Sequence, residues 1–356
     1  MPYNTILYSF KVIIITSLIS AFSIPVVKKI AHHVNALDVP NERKVHQKPM
    51  PRLGGLGIFF AFLVGYMLFG QNTVQMNSIL IGSFIILITG IIDDINPLNA
   101  KDKLIGQIIS ALVITFYGEI LLSQITAFGL TINFGYFAYP ITIIFLIACM
   151  NIINLIDGLD GLAGGISSIF FMTIIVISFF QGTTTGLEFT LALIMLGSTL
   201  GFLVHNFHPA KIFAGDSGAL FLGFIIAIIS LLGFKGTVLT SVFVPLLILA
   251  VPILDTLFAI LRRLIKHKRI SDADKQHLHH QLLGMKFSHR NTVLIIYGVN
   301  ILFALASIFY TLNSQINIYL RITVYLILLV LVFWFVNKTN IVTEKQIKFR
   351  HTKKKK

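Results

Sequence analysis

Charge is scarce in this sequence. Only 12% of its 356 residues are charged, while 56% are hydrophobic, and the mean hydropathy is +0.86. A soluble domain is about half apolar too, but about a quarter of it is charged. The missing charge excludes an ordinary soluble globule and points to an integral membrane protein. Cysteine is almost absent: the single Cys149 excludes an intrachain disulfide and reads as a small packing residue. Acids are scarcer than bases, 14 Asp and Glu against 28 Lys and Arg, for a net charge of +14. Such an excess can serve nucleic acid, but no nucleic-acid-binding motif is present. The bases sit in loops beside apolar segments and in the tail 353–356, where they orient a chain and attract anionic lipid. No soluble domain is visible, nor an inverted pair of broken helices of the kind transporters use.

What is abundant is the long apolar run. A helical span takes roughly 20 apolar residues, about 17–25. Segments near 5–27, 54–70, 77–95, 104–123, 138–156, 162–181, 188–206, 217–234, 237–261, 292–311 and 318–336 qualify, eleven in all. The third is the weakest, since its purely apolar core is short. Segment 124–137 is too polar to span and reads as a turn or short hairpin on the far side. The first run exceeds a signal-peptide core of ~7–15 residues and lacks a cleavage site, so it is expected to stay as a span. The expected fold is an all-α polytopic integral membrane protein, one transmembrane domain over 1–336 followed by a basic tail, 337–356.

Assigning alternate loops to one side places every Lys and Arg except Lys11, Lys235 and Arg321 on that side. By the positive-inside rule this side is cytoplasmic. The N-terminus is then outside and the C-terminus inside, which requires an odd number of spans.

The acids, amides and histidines gather at the cytoplasmic ends. Asp93 and Asp94 close the third span. A helix C-terminus favours cations, so two adjacent anions there call for a metal, or for Lys101 and Lys103. One of them reads as a metal ligand or general base; a polar helix end is the plainer alternative. Asn151, Asn154 and Asp157 are three apart and share a face if the helix continues. With Asp160 they sit among Gly158, Gly161, Gly164 and Gly165, which permit close backbone approach to a ligand. Amides and carboxylates on one face suit a nucleotide or sugar better than a bare ion; the alternative is a glycine-rich turn with Asp160 capping the sixth span.

Loop 205–218 offers Asn206, Lys211 near a phosphate, Phe213 for base stacking and Asp216 as a Mg²⁺ carboxylate, although Asp216 is also a plausible N-cap. His277, His279 and His280 do not form a standard zinc pattern and have no cysteine nearby. Among Lys268, Arg269 and Lys275 they fit anion binding better, or a structural turn. Asp255 lies inside the ninth span, where acids are functional or paired. In the early loop, membrane orientation accounts for Arg43, Lys44 and Lys48 but not for the entry Pro51-Arg52-Leu53-Gly54-Gly55, which is expected to contact substrate.

Together and in this order, these segments resemble the polyprenyl-phosphate N-acetylhexosamine-1-phosphate transferases, the superfamily of MraY and the WecA/TagO enzymes. The resemblance covers about residues 38–283. It rests on Arg43-Lys44-Val45-His46, Pro51-Arg52-Leu53-Gly54-Gly55, Asp93-Asp94 with Lys103-Leu104, the run 154–162, the run 209–216 and His277-Leu278-His279-His280. It implies that a polyprenyl phosphate attacks the β-phosphorus of a UDP-N-acetylhexosamine, giving a polyprenyl-diphospho-sugar and UMP. Mg²⁺, or Mn²⁺ in its place, is the implied cofactor, held by Asp216. Asp93 is the implied base with Asp94 in support. Nucleotide and sugar contacts fall to Asn154, Asp157, Asp160, Asn206, Phe213, Lys44, Lys48, Lys211, His277, His279 and His280.

The implied partners are undecaprenyl phosphate, UDP-N-acetylglucosamine, the bacterial cytoplasmic membrane and a second copy in a homodimer. The spacing His277-Leu278-His279-His280 resembles the WecA/TagO branch, where MraY enzymes typically carry three consecutive histidines. Eleven spans rather than ten agree with that branch, and the implied donor is UDP-N-acetylglucosamine. Richness in Lys, Ile and Asn points to an AT-rich genome and, with it, to the first step of a wall polymer such as wall teichoic acid. An MraY-type donor, a lipid or nucleotide-sugar carrier, and a two-step route through a phospho-aspartate stay open.

Overall fold

A computed structural model describes residues 2–39, 49–127, 130–235, 249–265 and 278–312, with residue 245 and four positions between 323 and 330. Lys44, Lys48, His277, most of the last expected span and the tail lie outside the described residues. The chain runs α1 (Pro2–His33), β1 (Leu37–Asp38), β2 (Met50–Pro51), α2 (Gly54–Phe69), α3 (Val74–Ile95) and α4 (Ala100–Leu112), which continues into a π-helical turn (Val113–Tyr117). It goes on through β3 (Gln124–Ala127), β4 (Leu130–Asn133), α5 (Ala138–Ile156), α6 (Leu162–Gln181), α7 (Leu187–Asn206), α8 (Gly215–Lys235), α9 (Ala250–Ile265), α10 (Leu278–Gly284) and α11 (His289–Leu312).

Among the described residues, α1, α3, α5, α6, α7, α8 and α11 are long and apolar enough to cross a membrane, and α2 is a shorter apolar helix. The protein is therefore helical and polytopic. Of the turn or short hairpin expected over 124–137, a hairpin is present: β3 and β4 pair antiparallel, Gln124 opposite Asn133.

Local signals set the helix boundaries. Thr73 accepts the Met76 N–H at 3.1 Å and starts α3. Asn99 accepts the N–H groups of Lys101 and Asp102, both at 3.0 Å, and starts α4. Each cap satisfies donors that a helix start leaves unpaired.

Helix α8 is the hub, with α3, α5 and α2 around it and nearly its whole apolar stretch buried. Lipid tails are as apolar as leucine, so burial alone does not hold membrane helices together; close packing and small residues do. Phe59 and Phe62 of α2 meet Phe221 of α8 edge to face at 5.4 and 5.3 Å. Gly55 and Gly90 let α2 and α3 cross α8 almost backbone to backbone, since a Cβ at either would overlap the main chain at Ser217–Gly218. By contrast, α1 presents Phe10, Ile14, Leu18, Phe22 and Val26 outward, as a lipid-facing surface does.

These crossings bring the C-terminal ends of α3 and α5 and the N-terminal ends of α2 and α8 to one end of the bundle. A backbone zipper completes the assembly. Phe213 N donates to Pro51 O at 2.8 Å, while Gly54 N and Gly55 N donate to Phe213 O and Ala214 O, both at 2.9 Å.

Candidate active site

The N-terminus of α8 is capped from another helix. Asp94, whose side chain is fully buried, accepts the Asp216 N–H at 2.8 Å through Oδ1. Its Oδ2 accepts the Ser217 N–H at 3.1 Å and the Ser217 hydroxyl at 2.7 Å. Arg52 Nε lies 3.5 Å from Oδ1. The carboxylate thus satisfies two of the free N–H groups of α8 and complements its positive end. Asp216 itself leaves this first turn with its side chain free to face the neighbouring polar groups.

Those groups form a chain of charge. Lys103 Nζ lies 2.7 Å from Asp216 Oδ2 and 3.0 Å from Asp93 Oδ2. Asn154 Nδ2 donates to Asp216 Oδ1 at 2.5 Å, and Leu98 N donates to Asp93 Oδ1 at 2.8 Å. One ammonium therefore joins the carboxylates that end α3 and begin α8. The expected relief of Asp93 by a nearby lysine takes this form. Asn151, expected on the same face as Asn154, instead exchanges amide hydrogen bonds with Gln107 of α4.

The loop after α5 is clamped from three directions. Gly161, at φ 80°, donates its N–H to Asn206 Oδ1 at 2.9 Å. Asn206 Nδ2 in turn donates to Ile212 O at 2.8 Å. Tyr297 of α11 donates its hydroxyl to Gly161 O at 2.5 Å. Asp160 does not cap α6; its Oδ2 accepts His208 Nδ1 at 2.8 Å and Ala210 N at 3.1 Å. The Asp160 N–H donates to His289 Nε2 at 2.9 Å, so that nitrogen carries no proton.

Asp160, His208 and His289 hold potential ligand atoms within 4.8 Å of one another, yet they make a poor metal site. The two imidazoles stack 4.4 Å apart with planes 15° from parallel, so their in-plane lone pairs cannot converge on one ion. One of those lone pairs is already taken by a backbone N–H.

Between these two clusters lies a pocket of about 490 Å³. Arg52, Asn154, Asp157, Asp160 and Asp216 line it, with Asn206, Phe213, His208, His280 and His289 on its walls. Asp157 sits where α5 ends. Burial pushes its carboxyl up to about 7; Arg52 opposes this, while Asp94 and Asp160 add to the rise. His279 is buried and backs Gly158, where a Cβ would strike its ring; His280 stacks tilted on it at 4.2 Å. Asp255 accepts the Leu278 N–H at 2.8 Å and so starts α10, which carries both histidines. Lys211 is exposed and is not among the pocket-lining residues.

The structure thus brings Asn154, Asp157, Asp160, Asn206, Phe213, Asp216 and His280 to one cavity, with Asp93 and Asp94 behind it. Four participants were not singled out as site residues in the sequence. Arg52 was signalled only as part of the Pro-Arg-Leu-Gly-Gly entry, and Lys103 only as a counter-charge. His208 and His289 carried no signal, because a histidine at a span end is uninformative until the fold places it.

Comparison with known proteins agrees with this geometry. The profile of glycosyl transferase family 4 matches residues 76–234, from α3 to the end of α8. A probable undecaprenyl-phosphate N-acetylglucosaminyl 1-phosphate transferase of Bacillus subtilis (strain 168) is 42% identical over 336 residues, covering 93% of this chain and 92% of the relative. A decaprenyl-phosphate N-acetylglucosaminephosphotransferase of Mycobacterium tuberculosis (strain ATCC 25618 / H37Rv) is 32% identical, covering 83% and 81%. A phospho-N-acetylmuramoyl-pentapeptide-transferase of Halalkalibacterium halodurans is 31% identical, covering 86% and 96%. The chain belongs to glycosyl transferase family 4, among the polyprenyl-phosphate N-acetylhexosamine-1-phosphate transferases.

Proposed function

We propose that this protein transfers N-acetylglucosamine-1-phosphate from UDP-N-acetylglucosamine to undecaprenyl phosphate, at the cytoplasmic face of a bacterial membrane. The 42% identity along nearly the whole of both chains to a relative of that name carries the reading. In the transfer an oxygen of the lipid phosphate bonds to the β-phosphorus of the donor. The bond from that phosphorus to the bridging oxygen breaks, and UMP leaves with the electron pair.

Both partners are anions, so the residues serve chiefly to offset charge and to align. Arg52 and Lys103 supply positive charge at the pocket and beside it. Asp93 takes the proton of any lipid phosphate still protonated; a phosphomonoester has a second pKa of about 6, so at pH 7 this step is partly complete beforehand. Asp94 holds the α8 N-terminus and so aims Asp216. Asn154, Asp157, Phe213 and His280 receive the nucleotide and sugar, while Asn206 and Asp160 hold the loops that carry them.

The oxygens of Asp216 suit Mg²⁺, and the lysine ammonium 2.7 Å away marks them as a cation seat. When bound, Mg²⁺ neutralises and orients the diphosphate.

The proposal includes eleven spans with the N-terminus outside, from the distribution of Lys and Arg, a homodimer, and a place at the first step of a wall polymer such as wall teichoic acid. The test is a transfer assay with purified protein, undecaprenyl phosphate and Mg²⁺, offering UDP-N-acetylglucosamine and UDP-N-acetylmuramoyl-pentapeptide separately. Product from the first donor alone supports the reading. Turnover of the pentapeptide donor alone moves the protein to the other branch, and turnover of neither sinks the transferase assignment.

A further inference from the structure

Lys103 occupies an unusual position. Its ammonium lies between Asp93 and Asp216, 3.0 and 2.7 Å from one oxygen of each, and its side chain is mostly buried. Asp216 Oδ1 takes the Asn154 amide, and Asp93 Oδ1 takes the Leu98 N–H. The two oxygens left over are those the lysine bridges. An ammonium and a hydrated divalent ion compete for the same carboxylate oxygens, because both neutralise the same charge and only one fits between them. Lysine is suited to be the one that yields. It is a compact charge on a flexible four-carbon stem, and a phosphate oxygen satisfies it as well as a carboxylate does.

We propose that Lys103 is a displaceable placeholder for the metal. In the empty site it bridges Asp93 and Asp216, and on donor binding it moves to the diphosphate and frees Asp216 Oδ2. Divalent metal then binds weakly to the free protein and tightly with the nucleotide, so that the carboxylates never face one another unneutralised. This rests on the reading of Asp216 as the metal carboxylate. It assigns Lys103 a phosphate contact during turnover and a gating role before it.

The test reads metal binding rather than turnover. Free Mn²⁺ is followed by electron paramagnetic resonance during titration of purified protein, with and without UDP, after subtraction of protein-free titrations. Wild type, Lys103→Gln and Asp216→Asn are compared, with thermal unfolding as the folding check. Without nucleotide, Lys103→Gln is expected to bind Mn²⁺ at least ~tenfold more tightly than wild type, the factor a competing interaction of ~1.4 kcal/mol imposes. UDP should strengthen Mn²⁺ binding strongly in wild type and much less in Lys103→Gln, since metal and nucleotide are coupled through the lysine.

Equal or weaker Mn²⁺ binding by folded Lys103→Gln overturns the proposal. If that variant does not fold, wild type decides alone: Mn²⁺ binding indifferent to UDP overturns it. Undiminished Mn²⁺ binding by Asp216→Asn with UDP present refutes instead the metal assignment on which the proposal stands.

Discussion

Replacing Asp94 by asparagine separates a residue that performs chemistry from one that aims the residue that does. The Asp94 carboxylate accepts three hydrogen bonds, from the N–H groups of Asp216 and Ser217 and from the Ser217 hydroxyl. Asparagine keeps one acceptor oxygen and turns an NH₂ group towards the donors the other oxygen had accepted. Hydrogen bonds to a charged acceptor contribute ~1.5–3 kcal/mol each, and a helix cap contributes about 1 kcal/mol. Losing one side of the cap therefore costs about 2–4 kcal/mol.

Where that loss falls on the alignment of Asp216, it lowers the transfer rate by roughly 30- to 1000-fold at about 1.4 kcal/mol per decade. Ser217→Ala removes one bond of the three and should cost about ten- to a hundredfold. The assay is lipid-linked product formation from UDP-N-acetylglucosamine at about pH 8, with thermal unfolding measured alongside. Asp94→Asn should both unfold at lower temperature and lose activity. If it unfolds as wild type does while its activity falls, Asp94 takes part in the chemistry and the positioning argument is wrong.

Three further outcomes follow from the geometry. The Asp157 carboxyl, held near 7 in the folded protein, binds a proton more readily than in the unfolded chain. Its contribution to stability is therefore greatest at low pH and is lost as pH rises through the unfolded value towards 7; Asp157→Asn should raise the unfolding temperature most at pH 8 and about half as much at pH 5.5, and equal effects at both would contradict the assignment. Tyr297→Phe removes the hydroxyl bond to Gly161 O, about 1 kcal/mol, and is expected to raise the KM for the nucleotide sugar about fivefold with kcat within about twofold; an unchanged KM would mean that α11 does not hold the nucleotide loop. Gly90→Ala forces a Cβ into the Ser217 backbone and should destabilise the α3–α8 crossing by about 1–3 kcal/mol, seen as a lower unfolding temperature; wild-type stability would refute the close crossing.

Several span starts and ends were legible in the sequence because an apolar run interrupted by Gly, Asn or Asp is a one-dimensional signal, but the run expected at 104–123 is instead α4 and its π-helical turn, ending at Tyr117. The segments expected near 162–181 and 188–206 are α6 (Leu162–Gln181) and α7 (Leu187–Asn206). The polar stretch expected to be a turn or short hairpin is a hairpin. The convergence of Asp93, Asn154 and Asp216 was legible too, since all three lie at span ends that the charge map assigned to one side.

Individual roles were less legible because they depend on partners distant in the chain. Asp94 and Ser217 are 123 positions apart, and Asp160 and His289 are 129 apart. No local pattern announces that Asp94 caps a helix that has not yet begun. Asn206, expected to meet the nucleotide, spends its amide on Gly161 and Ile212, a use that resembles ligand binding in sequence because both need a buried amide at a loop. Lys211 looked like a phosphate contact from its neighbours in the chain, yet the turn that carries it points it to the surface.

In the proposed reaction Asp216, presented by the capped start of α8 beside Lys103 and Asn154, is the centre of a phospho-sugar transfer to lipid. The most direct measurement follows UMP release from UDP-N-acetylglucosamine by purified wild type and Asp216→Asn, each with and without undecaprenyl phosphate. Wild type should give UMP and lipid-linked sugar in equal amounts when lipid is present and little UMP without it, and a folded Asp216→Asn should give neither product. Comparable turnover by Asp216→Asn, or UMP released by wild type at the same rate without lipid, would contradict it.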